Sequence, residues 1–323
     1  MKLQLLFLFA ILLLLPSCYQ EEDIEAVKGT PRYIIEDSSD PLDHEIYEIF
    51  RRTGVYVLYD YTLYDYLWDL GSLNNSTNRL TLQTDRTVLL EGVKYLKKVL
   101  MDFYSDDFMQ KFFPLKIFLA ANIDNASTSA VEDLESGAGR EYLALGKIRA
   151  GEIPSTAEGL LKAKGELNAY LWSNVMIKNG LLTLPEAFEE VSSALYTKNF
   201  GYAKGYTTDN PLWYPTDAEL MAEGFWDVDP YNSLNNPYPR ILDPITGRPV
   251  TATGAPATYN MMPNYVNDLN MWIAKITTMS REEILAIIGN YEKMMLKYNI
   301  LINSVQEQLG FDLQAVGADK PQP

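Results

Sequence analysis

Histidine and cysteine, the side chains on which most acid–base, nucleophilic and transition-metal chemistry at neutral pH depends, occur once each in this 323-residue chain, as His44 and Cys18. A zinc site built on histidines, or a serine or cysteine nucleophile paired with histidine, needs partners that the chain does not supply. His44 opens a predicted helix in Asp43-His44-Glu45 and reads as a surface residue. What remains is carboxylate chemistry or oxygen-ligand metals. Asp and Glu number 43, so facing pairs arise by chance, and Glu166, Asp227 and Asp229 have no spacing that sets them apart. Asp227-Val228-Asp229-Pro230-Tyr231-Asn232 puts oxygens at short intervals but lacks the central glycine and distal glutamate of a calcium loop, and reads as a turn. Glu135-Ser136-Gly137-Ala138-Gly139 fits neither nucleotide-binding fingerprint. Neither a metal nor a cofactor is expected. The remaining handle is aromatic: Trp213, Tyr214, Phe225, Trp226, Tyr231, Tyr238 and Tyr259 crowd one loop-rich segment. Flat rings with polar edges either stack on a sugar or peptide or anchor the segment to the core; Trp213, Tyr214, Trp226, Tyr231 and Tyr238 are the ligand-binding candidates.

The elements that must carry these residues follow from periodicity. Apolar Ile46, Ile49 and Phe50 predict a short helix over 43–52, ended by Gly54, and 55–59 reads as a strand. Helical spacing of Val88, Leu89, Val93, Leu96, Val99, Leu100 and Phe103 predicts a long helix over 85–104. Residues 114–120 read as a strand, with 141–148 as a second one beside it. Helices follow at about 155–178, stopping at Asn179-Gly180, and at 184–196, with Pro185 in its first turn. Residues 199–263 are rich in Gly, Pro, Asn and Tyr and read as a loop-rich excursion, and two helices, 265–277 and 281–309, close the domain. Trp68, Trp172 and Trp272 sit in or beside helical patterns and read as core. The fold class is α+β, predominantly helical with a small N-terminal sheet: a sheet-containing part over 43–150, then helical parts over 151–198 and 264–317. Residues 318–323 read as a disordered tail.

Residues 1–17 combine Lys2, the apolar run Leu3 to Leu15 and a small residue, Ser17, which is the pattern of a signal peptide, too short to span a bilayer comfortably. Leu15-Pro16-Ser17-Cys18 resembles a bacterial lipobox, which implies acylation of Cys18 and a flexible tether over 18–42. The acidic run Glu21-Glu22-Asp23 resembles the signal that Bacteroidota lipoproteins use to reach the outer face of the outer membrane; it also suits a solvated linker. A net charge of -16 and a pI near 4.5 oppose nucleic acid and anionic membrane as partners. With 47% hydrophobic residues and no disulfide possible, packing alone must hold the fold.

The segments DHEIYEIFRRTGVYVLYDY, LLEGVKYLKKVLMDFY, FPLKIFLAA and KYNILINSVQEQLGFDL, in that order and with a helix near residue 166, resemble the candidate zinc-binding metallopeptidase lipoproteins of Bacteroidota. The resemblance covers most of 43–317 and rests on pattern and order. It implies a single zincin-like domain. In that family the helix after the strands carries HExxH, in which two histidines bind zinc and the glutamate activates water. The matching stretch here is Gly165-Glu166-Leu167-Asn168-Ala169, which keeps the glutamate and lacks both histidines; the family's later acidic motif falls near Asn267-Asp268-Leu269. The resemblance therefore implies a degenerate member without peptidase activity, with Glu166 on a helix surface or in a cleft. It further implies a surface-exposed outer-membrane lipoprotein that binds a peptide or glycan or supports an outer-membrane transporter complex for nutrient uptake. A surface glycan-binding protein using the loop aromatics and a carboxylate-dependent hydrolase are the alternatives.

Overall fold

The computed structural model describes residues 32–66, 78–125, 133–198, 200, 215–228, 241–242, 249–250 and 262–323. The chain divides into a short unit, Met1–Ile34, and a large one, Ile35–Pro323. The lipobox, Cys18, Trp68, Trp213, Tyr214, Asp229, Tyr231, Asn232, Tyr238 and Tyr259 lie outside the described residues.

Helix α1, Pro41–Thr53, begins where Asp40 accepts from the Leu42 N–H at 2.9 Å and Pro41 presets the first turn. It ends at Gly54, whose φ of 71° puts it in the left-handed cap conformation that a side chain disfavours. Strand β1, Tyr56–Leu58, leads to a single helical turn, α2, Leu63–Tyr66, and to strand β2, Asn78–Leu82. Helix α3, Arg86–Val99, is capped by Asp85, and a 3₁₀ turn, Met101–Phe103, follows it in place of the continuous helix expected to 104. After α4, Asp106–Phe112, come β3, Lys116–Asn125, β4, Ser136–Ala138, and β5, Tyr142–Leu145.

Strand β3 is the spine of the sheet. It pairs in parallel with β1 over its first residues and with β5 on the other side, pairs antiparallel with β2 over its second half, and β4 closes the β5 edge antiparallel. The expectation of two neighbouring strands at 114–120 and 141–148 is met. Ile117, Phe118, Leu119 and Ala120 are all buried, so both faces of β3 are covered, which explains its unbroken apolar run. Ile117, Leu119, Leu143 and Leu145 join the main core. Phe118 on the opposite face meets Tyr61 and Tyr142 edge-on at 4.9 and 5.4 Å.

Helix α5, Ala157–Tyr170, runs into a widened π-helical turn, Leu171–Ile177. Ser173 supplies a local reason: its hydroxyl donates to the Ala169 carbonyl at 2.7 Å, the helix ladder shifts, and the Lys178 N–H reaches back five residues to Ser173. Gly180, at φ 72°, stops the helix as expected. The helix expected over 184–196 is shorter: α6 is Glu186–Glu190, and the chain then turns, with the Ser192 hydroxyl drawn to the Glu223 carbonyl at 2.8 Å. Inside the excursion, α7, Asp217–Ala222, carries a full capping box between Thr216 and Glu219. Two short strands, β6, Ile241–Leu242, and β7, Pro249–Val250, pair with each other. Helix α8, Tyr265–Thr278, matches its expectation. The helix expected over 281–309 is two, α9, Arg281–Ile288, and α10, Glu292–Leu309, broken at Gly289-Asn290, where two poor helix formers meet. A further helix, α11, Leu313–Ala318, is capped by Asp312. Within 318–323, Lys320 pairs with Glu283 at 2.5 Å and Pro321 is buried, while the other residues are exposed. The observed class is α+β, mostly helical with a small sheet, as expected. Among the described residues no helix is long and apolar enough to cross a membrane.

Helices α5 and α8 cross closely at Gly165, where a Cβ would stand 3.1 Å from Thr278 Cγ2 and 3.4 Å from the Ala274 Cβ. A methyl group fits there only if Thr278 yields slightly; anything larger forces the helices apart. Gly165→Leu is expected to destabilise the protein by about 2 kcal/mol, seen as a lower urea midpoint with an unchanged slope. A wild-type midpoint would refute the packing.

Candidate functional site

The residues singled out in Gly165-Glu166-Leu167-Asn168-Ala169 lie on α5, and the structure buries all five. Glu166 is 4% exposed, which corrects its expected place on a surface or in a cleft. The Ser136 hydroxyl on β4 donates to its Oε2 at 3.2 Å, and Lys162, one turn earlier, stands 3.6 Å from Oε1. Lys162 also reaches Glu135 at 2.8 Å, and Lys147 pairs with the other Glu135 oxygen at 3.3 Å. Charges therefore alternate along Lys147, Glu135, Lys162 and Glu166, of which only Glu166 is buried. Burial pushes the Glu166 carboxyl up to about 7, with Lys162 pulling against it and Glu135 adding to it. A carboxyl with this poise at neutral pH is chemically capable of giving and taking a proton, yet it sits behind Ser136 and Lys162 rather than open to a reactant.

The two positions flanking Glu166 do not fit zinc. Gly165 is the crossing point with α8, and Ala169 is fully buried, its carbonyl taken by Ser173. An imidazole at Gly165 would displace α8, and one at Ala169 would have to enter a fully buried position. Among the described residues no group of three or more His, Cys, Asp or Glu side chains converges as a metal cage.

Asp268, in the stretch Asn267-Asp268-Leu269 on α8, lies far down in the core and is joined to Lys297 of α10 at 2.6 Å; both side chains are wholly inaccessible. Tyr196 donates its hydroxyl to the same Asp268 oxygen at 2.7 Å. Lys297 Nζ is lodged among aromatic rings, 4.7 Å from the Phe225 centroid, 5.3 Å from Phe188 and 5.5 Å from Tyr196. Burial pushes Asp268 up and Lys297 down, each opposed by the attraction of the other. The sequence reading missed this pair. Its signal is present, since Lys297 stands inside the apolar stripe Met294, Tyr298, Leu301 and Val305.

Trp226 is not a surface platform. It is 8% exposed, packs edge-on against Trp272 at 5.3 Å, and its indole N–H is buried with no partner among the described residues. Phe225 is fully buried beside Leu195 and Leu220. Trp172 and Trp272 are core residues, as expected. Asp227 accepts from the Val228 N–H at 2.7 Å, and Ser136–Ala138 is strand. His44 is half exposed at the helix start and pairs with Asp37 at 2.7 Å, which raises its pKa.

No family model matches the sequence, and no curated protein matches it. A solved structure of a candidate zinc-binding metallo-peptidase from Bacteroides caccae ATCC 43185 is similar, with a TM-score of 0.46 and 14% identity over 88% of this chain and 93% of that one. A likeness of that degree assigns no side chain and no chemistry.

Two outcomes follow from the buried charges. The unfolded Glu166 carboxyl ionises near 4.5 and the folded one at about 7, so between those values the folded state holds the extra proton and stability falls as pH rises. Wild type is expected to lose on the order of 3 kcal/mol more than Glu166→Gln between pH 4.5 and 7, read by urea unfolding at stepped pH; parallel curves would refute it. Asp268→Asn strands Lys297 and is expected to cost about 3–5 kcal/mol, whereas Asp268→Leu with Lys297→Met costs far less. A double-mutant cycle checks the difference.

Proposed function

We propose that this chain is a metallopeptidase-like, zincin-like outer-membrane lipoprotein, displayed at the cell surface through Cys18, that has lost catalysis and acts by binding. Its ligand is a peptide or glycan, or it supports an outer-membrane transporter complex in nutrient uptake. One observation carries the reading. The glutamate at the position where the resembling family activates water is enclosed by Ser136 and Lys162; of the places of the two metal-binding histidines, Gly165 is the crossing point of α5 with α8 and Ala169 is fully buried. Evolution of a tight helix crossing at a former metal site removes both the cation and the opening through which a substrate would arrive. The scaffold is then free to keep a surface without keeping a reaction.

The pKa of Glu166 favours a second reading, a carboxylate-dependent hydrolase, because a glutamate poised near 7 is what general acid–base catalysis uses. The two readings part in a single experiment. The soluble form beginning near Glu21 is dialysed against zinc and then buffer, its metal content is measured by elemental mass spectrometry, and peptide hydrolysis is assayed with and without chelator. Substoichiometric zinc and no hydrolysis are expected. Stoichiometric zinc with chelator-sensitive hydrolysis would overturn the proposal, and chelator-insensitive turnover abolished by Glu166→Gln would establish the second reading instead.

A further inference from the structure

We propose that the groove between the C-terminal end of α3 and the segment 320–322 is a binding site for a small organic anion, a carboxylate or phosphate on a compact body such as one acidic sugar. The site is separate from Glu166 and does not rest on the reading above. The groove holds about 340 Å³, at the small end of the range for small-molecule sites. Lys94, Lys97 and Lys98 form one wall and Lys320 stands on the other, against a single lining carboxylate, Asp102. Such a gathering is the reverse of the chain's overall balance of -16.

Lys94, Lys97 and Lys98 stand three and four residues apart, on one helix face, where like charges repel. Glu45 relieves Lys97 at 3.0 Å and Glu283 relieves Lys320 at 2.5 Å. Lys94 and Lys98 have no ion-pair partner among the described residues. Favourable interaction with the end of the helix accounts for Lys97 and Lys98 in the last turn, but it does not account for Lys320, brought to the same groove from the far end of the sequence. Phe103 and Pro321 add apolar surface, and lysine stems extend it, so a ligand with a hydrocarbon or sugar-ring body is matched as well as its charge. Beneath this, Lys164 is buried with its Nζ 3.4 Å from the Phe103 ring centroid, and it donates to the Val316 carbonyl at 2.5 Å and to the Asp319 carbonyl. That anchor fixes the position of the second wall. An ammonium is a point donor without a preference for planar forks, so either carboxylate or phosphate satisfies it.

The test is calorimetric titration of the full chain, in non-ionic detergent, with glucuronate, glucose 6-phosphate and neutral glucose. Either anion is expected to bind saturably, more weakly at high salt, with glucose silent; the tighter anion identifies the head group. Lys94→Gln with Lys98→Gln should weaken binding about tenfold, while Lys111→Gln, a charge change outside the groove, leaves it unchanged. The absence of saturable binding by both anions up to about 10 mM, equal binding of glucose, or an unaltered affinity in the double variant would each overturn the proposal.

Discussion

The constraint on which the rest of the structure depends is a helix buried around its whole girth that is not apolar around its whole girth. Over Ala163 to Ala169, α5 hides Lys164, Glu166 and Asn168 along with Ala163, Gly165, Leu167 and Ala169. Each such group costs several kcal/mol in a dry interior unless it is paired, so each dictates a neighbour. Lys164 requires the carbonyls at the end of α11, which ties down the C-terminal segment. Glu166 requires Ser136, which ties α5 to the outer strand of the sheet. Asn168 gives its amide to the Lys164 carbonyl at 2.8 Å and accepts the Tyr104 hydroxyl, which in turn accepts the Trp172 indole N–H at 2.9 Å. Burial of apolar surface would drive these elements together in many registers; the polar partners leave one.

The Lys297–Asp268 pair repeats the device on the other side of α8. Two charges removed from water gain little net stability over an apolar pair of the same volume, because the desolvation cost cancels most of their attraction. What they do is make wrong packings expensive: α10 can approach α8 only with Lys297 opposite Asp268, and Tyr196 must be near enough to give its hydroxyl. The aromatic box of Phe188, Tyr196 and Phe225 then brings α6 and the excursion's described helix region onto the same point.

How much of this was legible in the sequence follows from which force decides each feature. Local chemistry is written locally: Gly54 and Gly180 as caps, the unbroken apolar run of β3 and the period of α3 are all readable. The breaks were not. Gly289-Asn290 carries a visible weakness, but the stripe of apolar residues continues across it, and only the packed structure shows the chain using that weakness. The end of α6 depends on Ser192 finding the Glu223 carbonyl, 31 residues away, which no window of sequence contains. Helix α11 has a local signal, Asp312 ahead of Leu313 and Val316, but it is short beside the longer helix before it. Glu166 lies on a helix, as its surroundings in the sequence suggest, but that helix stretch is buried, and nothing in Gly165 alone says that α8 lies against it.

Buried polar residues are commonly taken as marks of chemistry, and here the physical accounting points elsewhere. A catalytic carboxyl must be desolvated enough to be poised and open enough to be reached. Glu166 meets the first condition and, at 4% exposure, fails the second. The same desolvation that raises its pKa is what makes it demand Ser136 and Lys162, and satisfying that demand closes the space a substrate would need. A perturbed pKa therefore separates two cases only when read together with access: with an opening it signals a reaction, and without one it records the cost of holding a helix in register. Lys164, Asp268 and Lys297 are held in the same way, each buried and paired. Lys94 and Lys98, beside Phe103 and without an ion-pair partner among the described residues, stand outside that group.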